Sequence, residues 1–564
     1  MFQSCTTAVQ KILSEVFGVE DALLRWERPQ DANHGDLATP IAMQIAKQTG
    51  KNPRVIAEDL VSALSAVSEV EKAEVAGPGY VNVWLTPGAL IEALGETRKA
   101  CTAKVKRKKE APVIVEYSQP NIAKPLAAHH LLTTLIGQGI ANIYDHLGYN
   151  TIKWNYIGDW GTQFGKLSVA VAKWGDGRKA SAYSLDELLA LYVKFHEEAE
   201  KNPTLEDEGR EAFRKLEAGD KEIRAFWSDI VKTTKASLVS LYDTLHVSFD
   251  LDLGEAFYED KMEPILEQGK NSGVFVEGKE GSLIVEFPEE TGLPPYLVQK
   301  GDGATLYSTR DIAQMRYRMD TYHPQEILIV TDIAQKLHFE QLIETCTKLQ
   351  WDLPAFENVL SGRMRFADKS MSTRKGNVLK LEEVLTEAVE RAEKKIAEHG
   401  ENIHTDDPKE LASMMGIGAV AYGILSQNRK QDIVFDWDKM LSFDGNSAPY
   451  LQYTHARARS VVEKAGKLSK LPKVDALTSS ERLLLNTLLR FERVLEEARA
   501  SHMPHLLANY LYELCQNYNA FYHAEPILKA EEPKRTLRVY LTELTASVLK
   551  TGAELLTIRV PDRM

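Results

Sequence analysis

The sequence predicts an α/β protein: a doubly wound parallel sheet carrying a helical insertion, with a small α/β domain before it and a helical bundle after it. Three observations lead there. Short apolar strands alternate with helix-length amphipathic segments between about residues 112 and 350. A strongly helical block, 184–245, interrupts that alternation. From about residue 380 onward the pattern is almost wholly helical, which predicts a bundle. At 564 residues the chain is too long for one core, so two to four domains are expected.

The elements follow in order. AVQKILSEVF and LATPIAMQIAKQ have helical periodicity, and GYVNVWL reads as a strand after the turn GPG. The charged, proline-terminated KVKRKKEAP is a linker, placing a first domain at 1–105. PVIVEY is a short strand that feeds SQPNIAKPLAAHHLLTTLIG, a strand–helix junction, and TIKWNYI is a strand closed by GDWG. Ser184 and Glu187 form a capping box ahead of LLALYVKFHEEAE, within an insertion around 170–250. SLIVEF and EILIVTD return as strands, the latter passing straight into the helix QKLHFEQLIETCTKL. These complete a second domain, 106–405, and leave a third, 406–564.

Composition excludes several classes. Apolar residues at 44% and charged residues at 26% describe an ordinary globular chain. A net charge of −13 argues against non-specific coating of nucleic acid, though two basic patches remain, Lys104–Lys109 and Arg457–Lys473. Four well-separated cysteines without CxxC predict free thiols in a reducing compartment and no metal-ligand set. No leader pattern or spanning apolar run is read, so the expected setting is the cytoplasm, without a membrane. GxGxxG and GxxxxGK[ST] are both missing, which excludes the dinucleotide fingerprint and the P-loop. A different phosphate device stands at Ser370–Asn377, SMSTRKGN: Arg374 and Lys375 balance phosphate charge while backbone N–H groups approach at Gly376.

Read together, the motifs VEYSQPNIAKP (115–125), NYIGDWGTQFG (155–165), LYSTRD (306–311), QKLHFEQ (335–341), MSTRKGN (371–377), LSQNRKQDIVFDWDKMLSF (425–443) and APYLQYTHARARS (448–460), with the end IRVPDRM, carry a resemblance. The chain resembles the arginyl-tRNA synthetases, members of the class I aminoacyl-tRNA synthetases, along essentially its whole length. The resemblance implies a Rossmann-type catalytic domain at 106–405. It also implies an N-terminal additional domain at 1–105 that reads the tRNA corner, and a helical anticodon-binding domain at 406–564. The implied activity is arginine–tRNA ligation. ATP and Mg²⁺ serve activation of L-arginine to the adenylate with release of diphosphate, and the arginyl group passes to the 3′-terminal adenosine of tRNA(Arg). A monomer is implied, and a need for tRNA even in activation. Such chemistry rests on positioning and on electrostatic stabilisation of phosphates.

The resemblance also implies roles. Glu116, Asn121, Tyr307, Asp311 and Gln335 surround the substrate arginine, whose planar, permanently charged fork needs carboxylates and neutral acceptors. Tyr307 and Asp311 fall one helical turn apart if a helix begins at STRDIAQ. Pro120, Ala123, Lys124, Ala127, His129, His130, Met371, Ser372, Thr373 and Gly376 line the ATP site. Lys124, His130, Arg374 and Lys375 are the catalytic set. Tyr80 and Asn82 face the tRNA corner, and Tyr450, Tyr453 and Arg457 face RNA on a helix shared with Gln452 and His455, together with the terminal Met564. Two departures stand out. The family's His-x-Gly-His reads Ala127-Ala128-His129-His130, so only His130 is in place. Thr373 replaces the second lysine of the phosphate loop, and Lys124 is implied to supply that charge.

Overall fold

The computed structural model describes residues 3–20, 23–29, 34–102, 106–366, 379–398, 403–466 and 473–564. The first domain folds as an antiparallel sheet of β1 (Leu37–Thr39), β2 (Val70–Ala76) and β3 (Tyr80–Leu85), ordered β1-β3-β2. The expected helix LATPIAMQIAKQ is divided. LAT is β1, paired with Val81–Val83, and the helix begins only at Ile41. Pro40 explains the break, since it has no N–H for the ladder and its fixed φ suits a helix entrance.

The central sheet contains β4 (Val113–Glu116), β5 (Thr151–Asn155) and β6 (Leu251–Asp252). An excursion then forms a separate antiparallel sheet of β7 (Val276–Glu277), β8 (Leu283–Val285) and β9 (Tyr296–Gln299). The chain returns through β10 (Glu326–Asp332) and β11 (Ala355–Ser361). The order is β11-β10-β4-β5-β6 and every pairing is parallel. SLIVEF was expected in this sheet, but its core is β8 in the side sheet. Leu283 and Ile284 are only half-buried, as suits an antiparallel strand, whereas Ile327–Thr331 of β10 are buried throughout.

Between β5 and β6 lie the insertion helices Thr162–Trp174, Leu185–Lys201, Thr204–Glu217 and Lys221–Thr244. They share a small core built on Trp160, Phe164, Leu188, Leu216 and Ile230. The Ser184–Glu187 capping box forms, with Ser184 N donating to Glu187 Oε2 at 2.8 Å.

After β11 comes β12 (Met364–Phe366), which pairs in parallel with β13 (Ile433–Phe435). The C-terminal helices are Pro408–Leu425, Ala448–Ala465, Ser479–Leu488, Phe491–Ser501, Pro504–Ala524 and Lys534–Leu555. Their core is continuous with that of the first domain and with the helix His130–His146. In the central sheet the chain runs outward from β4 to β6, then crosses back to β10 on the other side of β4. The carboxyl ends of β4 and β10 therefore flank the topological switch point, where α/β sheets bind ligands.

Candidate active site

The β4 end is shaped by close packing. A Cβ on Gly137 would lie 2.2 Å from the Tyr117 Cβ, so only glycine lets the helix His130–His146 press against the strand exit. The loop beyond it holds Ser118, Gln119 and Ala123 at φ of 75°, 53° and 64°. Three non-glycine residues in the left-handed region within six positions store strain of the kind found at ligand sites. The segment is pinned across to GDWG: Gly158 N donates to Pro120 O at 2.9 Å and Ile122 N donates to Gly158 O at 3.1 Å. Asn121 is exposed opposite Gly158, whose missing side chain leaves room for the Asn121 amide.

At the switch point lies a cavity of about 410 Å³, with His129 and His130 on one wall and Thr331, Asp332 and Gln335 on the other. Ser361, Arg363 and Met364 close it from the β11 side. A larger cleft of about 750 Å³ runs along the helix Leu381–Glu398 beside Trp437, but it is lined by mixed surface charges away from the strand ends. The switch-point cavity is the one the topology selects. Nδ1 of His130 lies 3.1 Å from Ala127 N and 3.2 Å from Ala127 O, so that face of the ring is engaged by backbone. Burial, then the neighbouring His129, push the His130 pKa down to about 4, and the ring is neutral at physiological pH. His129 stands where the resemblance implies a glycine, yet its φ of −66° and ψ of −24° are ordinary for any residue. Its ring lies 4.2 Å from that of His130, tilted by 31°. Burial lowers its pKa also, with Asp332 opposing.

Leu126, Ala127 and Ala128 form a short pairing with Leu379–Leu381: Ala128 N donates to Leu379 O at 2.9 Å and Leu381 N to Leu126 O at 2.8 Å. Met371, Ser372, Thr373, Arg374, Lys375 and Gly376 lie outside the described residues. Lys124 is exposed and does not line the cavity; its Nζ sits 5.0 Å above the Tyr192 ring of the insertion.

The residues expected around arginine stand in several places. Glu116 is buried and ion-paired to the equally buried Arg318, with Gln119 Nε2 donating to Oε1 at 2.5 Å and Gln314 Nε2 to Oε2 at 3.4 Å. Tyr307 and Asp311 stand at the start of the helix Tyr307–Tyr322, while Asn121 lies against Gly158 and Gln335 on the switch-point cavity. Tyr307 is 59% exposed, so it is available to a ligand, and its ring stands 5.0 Å from that of His338. Asp311 accepts from His338 Nε2 at 2.7 Å, and His338 Nδ1 lies 2.9 Å from the Tyr296 hydroxyl. Gln335 ends the short turn after β10, on the cavity wall.

Sequence reasoning missed Glu255, Arg310, Arg318 and His338. Arg310 pairs with Glu255 at 3.3 Å. Burial raises the Glu255 carboxyl to about 7, with Arg310 opposing and the Asp311 and Asp159 charges adding to the rise. Asp159 is raised as well, chiefly by burial. Arg310 is the cation this group of carboxylates already holds. His338 lay within QKLHFEQ and was readable there. Glu255 had no signal, because it opens an irregular turn, Glu255–Lys261, without periodicity.

On the helical side, Arg457 stacks over Tyr453 and Tyr522 at 4.7 and 5.1 Å, and its Nη1 donates to Asn519 Oδ1 at 2.6 Å. Tyr450 accepts from Asn519 Nδ2 at 3.0 Å. Gln452 and His455, on the same helix, face inward. Gln452 Nε2 donates to Met414 O and Arg559 O, and His455 Nδ1 lies 2.9 Å from Pro561 O. Met564 is half-buried against the core. In the first domain Tyr80 is half-buried at the start of β3, whereas Asn82 is buried inside the sheet.

The chain matches three family models: "Arginyl tRNA synthetase N terminal domain" over residues 3–85, "tRNA synthetases class I (R), catalytic domain" over 90–437 and "DALR anticodon binding domain" over 451–564. It is 39% identical over 539 residues to an arginine–tRNA ligase of Fusobacterium nucleatum, covering 94% of each chain. It is 38% identical over 570 residues to one of Alkaliphilus metalliredigens, covering 98% of this chain and 97% of the relative. The Thermus thermophilus arginyl-tRNA synthetase structure superposes with a TM-score of 0.81 at 26% identity, covering both chains fully. With all three regions matched in order, and relatives this similar across nearly their full length, the chain belongs to the arginyl-tRNA synthetase family.

Proposed function

We propose that this chain is an arginine–tRNA ligase that joins ATP and L-arginine into arginyl-adenylate at the β4–β10 switch point and then charges tRNA(Arg). The observation that carries it is a nucleotide-sized cavity at the β4–β10 strand exit, with His129, His130, Asp332 and Gln335 on its walls, together with the exposed Tyr307 and the Asp311–His338 pair one helical turn on. The arginine carboxylate attacks the ATP α-phosphorus, the α–β bridging bond breaks and diphosphate leaves. His129 and His130 bound the ATP side. Asp311, positioned by His338, and Glu255 receive the guanidinium beside Tyr307, Asn121 and Gln335, while Glu116, held by Arg318, supports the strand end. Arg374, Lys375 and Lys124 supply charge to the phosphates, with Met371, Ser372, Thr373 and Gly376 completing their loop and Pro120, Ala123 and Ala127 the first motif.

Mg²⁺, when bound, would neutralise charge on the ATP phosphates, and Asp332 would help to hold it. Among the described residues Asp332 is the one carboxylate on the cavity wall, which suits an ion held mostly by phosphate and water. Tyr80 serves the tRNA corner, with the buried Asn82 holding the strand that carries it, and Tyr450, Tyr453, Arg457 and Met564 serve the anticodon side. The division 1–105, 106–405 and 406–564 assigns one task to each part, and the protein works as a cytoplasmic monomer. All four cysteines are free, which supports a reducing setting. Among the described residues no helix is long and apolar enough to cross a membrane.

The test is ATP–pyrophosphate exchange and tRNA charging with each of the twenty amino acids, with and without tRNA. Arginine alone should support charging. Charging with another amino acid overturns the specificity, and no charging at all leaves a tRNA-binding protein without activation.

A further inference from the structure

The segment 35–40 belongs to neither the nucleotide site nor the arginine site, yet Asp36 is among the most enclosed charges of the described residues. Gly35, at φ +86°, lies so close to β3 that a Cβ would fall 2.6 Å from Val83 O. Asp36 N donates to that same oxygen at 2.8 Å. This fixes the Asp36 carboxylate, 1% exposed, toward the helix Ser479–Leu488 of the C-terminal domain. Three donors converge on it: Leu85 N at 2.7 Å from its own domain, and Arg482 Nη1 and Asn486 Nδ2, both at 2.6 Å, from the other. Arg482 continues to Leu85 O at 3.3 Å and Glu71 Oε2 at 2.7 Å, and Arg28 Nη1 donates to Asn486 Oδ1 at 3.3 Å.

We propose that Asp36 and Arg482 are positioning residues that set the angle between the two tRNA-reading domains, so that one tRNA engages both at once. The proposal rests on the reading that β3 meets the tRNA corner and the helix Ala448–Ala465 meets the anticodon side. Apolar contact between the domains is non-directional and lets them slide. A charge-assisted pair with fixed donors does not. The clamp grips Leu85 at one end of the strand that carries Tyr80 at the other, so its geometry passes directly to the corner-reading edge. Two contacts on one ligand gain from effective concentration only when their spacing matches the ligand.

The experiment uses the full chain, tRNA(Arg) transcript and a transcript altered in the corner loop. Asp36→Asn should raise the KM for intact tRNA roughly tenfold, as expected when one of two linked contacts loses its register. Pyrophosphate exchange at saturating tRNA should keep its rate and its KM for arginine and ATP. With the corner-altered transcript, whose second contact is already lost, the substitution should change KM less than twofold. Arg482→Gln, a change on the opposite domain that leaves Asp36 two donors, should reproduce the pattern if Asp36→Asn fails to fold. An unchanged KM for intact tRNA, or an equal loss with both transcripts, overturns the proposal. If the unsubstituted protein does not distinguish the two transcripts, the corner reading itself fails, and the proposal fails with it.

Discussion

His129 packs against His130 with ring centroids 4.2 Å apart and planes tilted by 31°, at the first turn of the helix that borders the switch-point cavity. The backbone at position 129 is ordinary, so the missing glycine costs no strain, and the ring buttresses its neighbour. His129→Gly should therefore weaken the site. Given about 0.5–1.5 kcal/mol for such an aromatic pair, the ATP KM in pyrophosphate exchange should rise about fivefold. A fall in KM, or higher activity of the Ala127→His, His129→Gly double variant, would show instead that the AAHH form is a defect.

His130 is the histidine that the family pattern and the cavity share. His130→Ala should lower the activation rate by roughly 100-fold, the usual loss when one donor to a developing phosphate charge is removed. Because its folded pKa is depressed to about 4, the His130 contribution should be flat from pH 5 upward. An inflection near pH 6.5 that disappears in the Ala variant would contradict this.

Glu255 predicts an alkaline gain in arginine recognition. Its carboxyl is raised to about 7, so in the free enzyme it becomes anionic only as pH rises through neutrality, while the guanidinium stays charged throughout. The kcat/KM for arginine should climb across pH 6–8. Glu255→Gln should flatten that climb and cost about 10–100-fold at pH 8, the range of a hydrogen bond to a charged group. Binding of arginine with undiminished pH dependence in the variant would exclude Glu255 from the pocket.

His455 predicts acid sensitivity of the C-terminal domain. Burial lowers its pKa from about 6.5 to about 4, opposed by its bond to Pro561. The folded state then binds fewer protons than the unfolded one between those values. The stabilisation is full above pH 6.5 and drains away as pH falls toward 4, by up to about 3 kcal/mol. Urea unfolding at pH 7 and pH 4.5 should show a larger drop for the unsubstituted protein than for His455→Gln; equal drops would refute it.

Much of the frame was legible because it follows from local pattern. EILIVTD is β10 residue for residue, the Ser184 cap formed, and the helix beginning at Tyr307 put Asp311 one turn on. Local pattern failed where pairing decides. LAT joined β3 instead of the following helix, and SLIVEF found antiparallel partners in a side sheet. The proposed arginine site was half legible. Its motif residues were named, but Arg318, which occupies Glu116, and Glu255 come from segments joined only by the fold. Gln452 and His455 could not be told from RNA-facing neighbours by type, since only the tertiary placement of Arg559 and Pro561 engages them.

The strand order has a consequence for synthesis. β4 pairs with β10 from Val113↔Glu326 onward, so 213 residues separate the partners at the centre of the sheet. At about 5–20 residues per second, roughly 10–40 s pass on the ribosome between the emergence of the two. During that interval the apolar VIVE strand has an open edge, the kind that recruits wrong partners. The nascent chain must either be sheltered or have its insertion folded early against that face, and pulse-labelled translation intermediates released near residue 300 should be the most aggregation-prone.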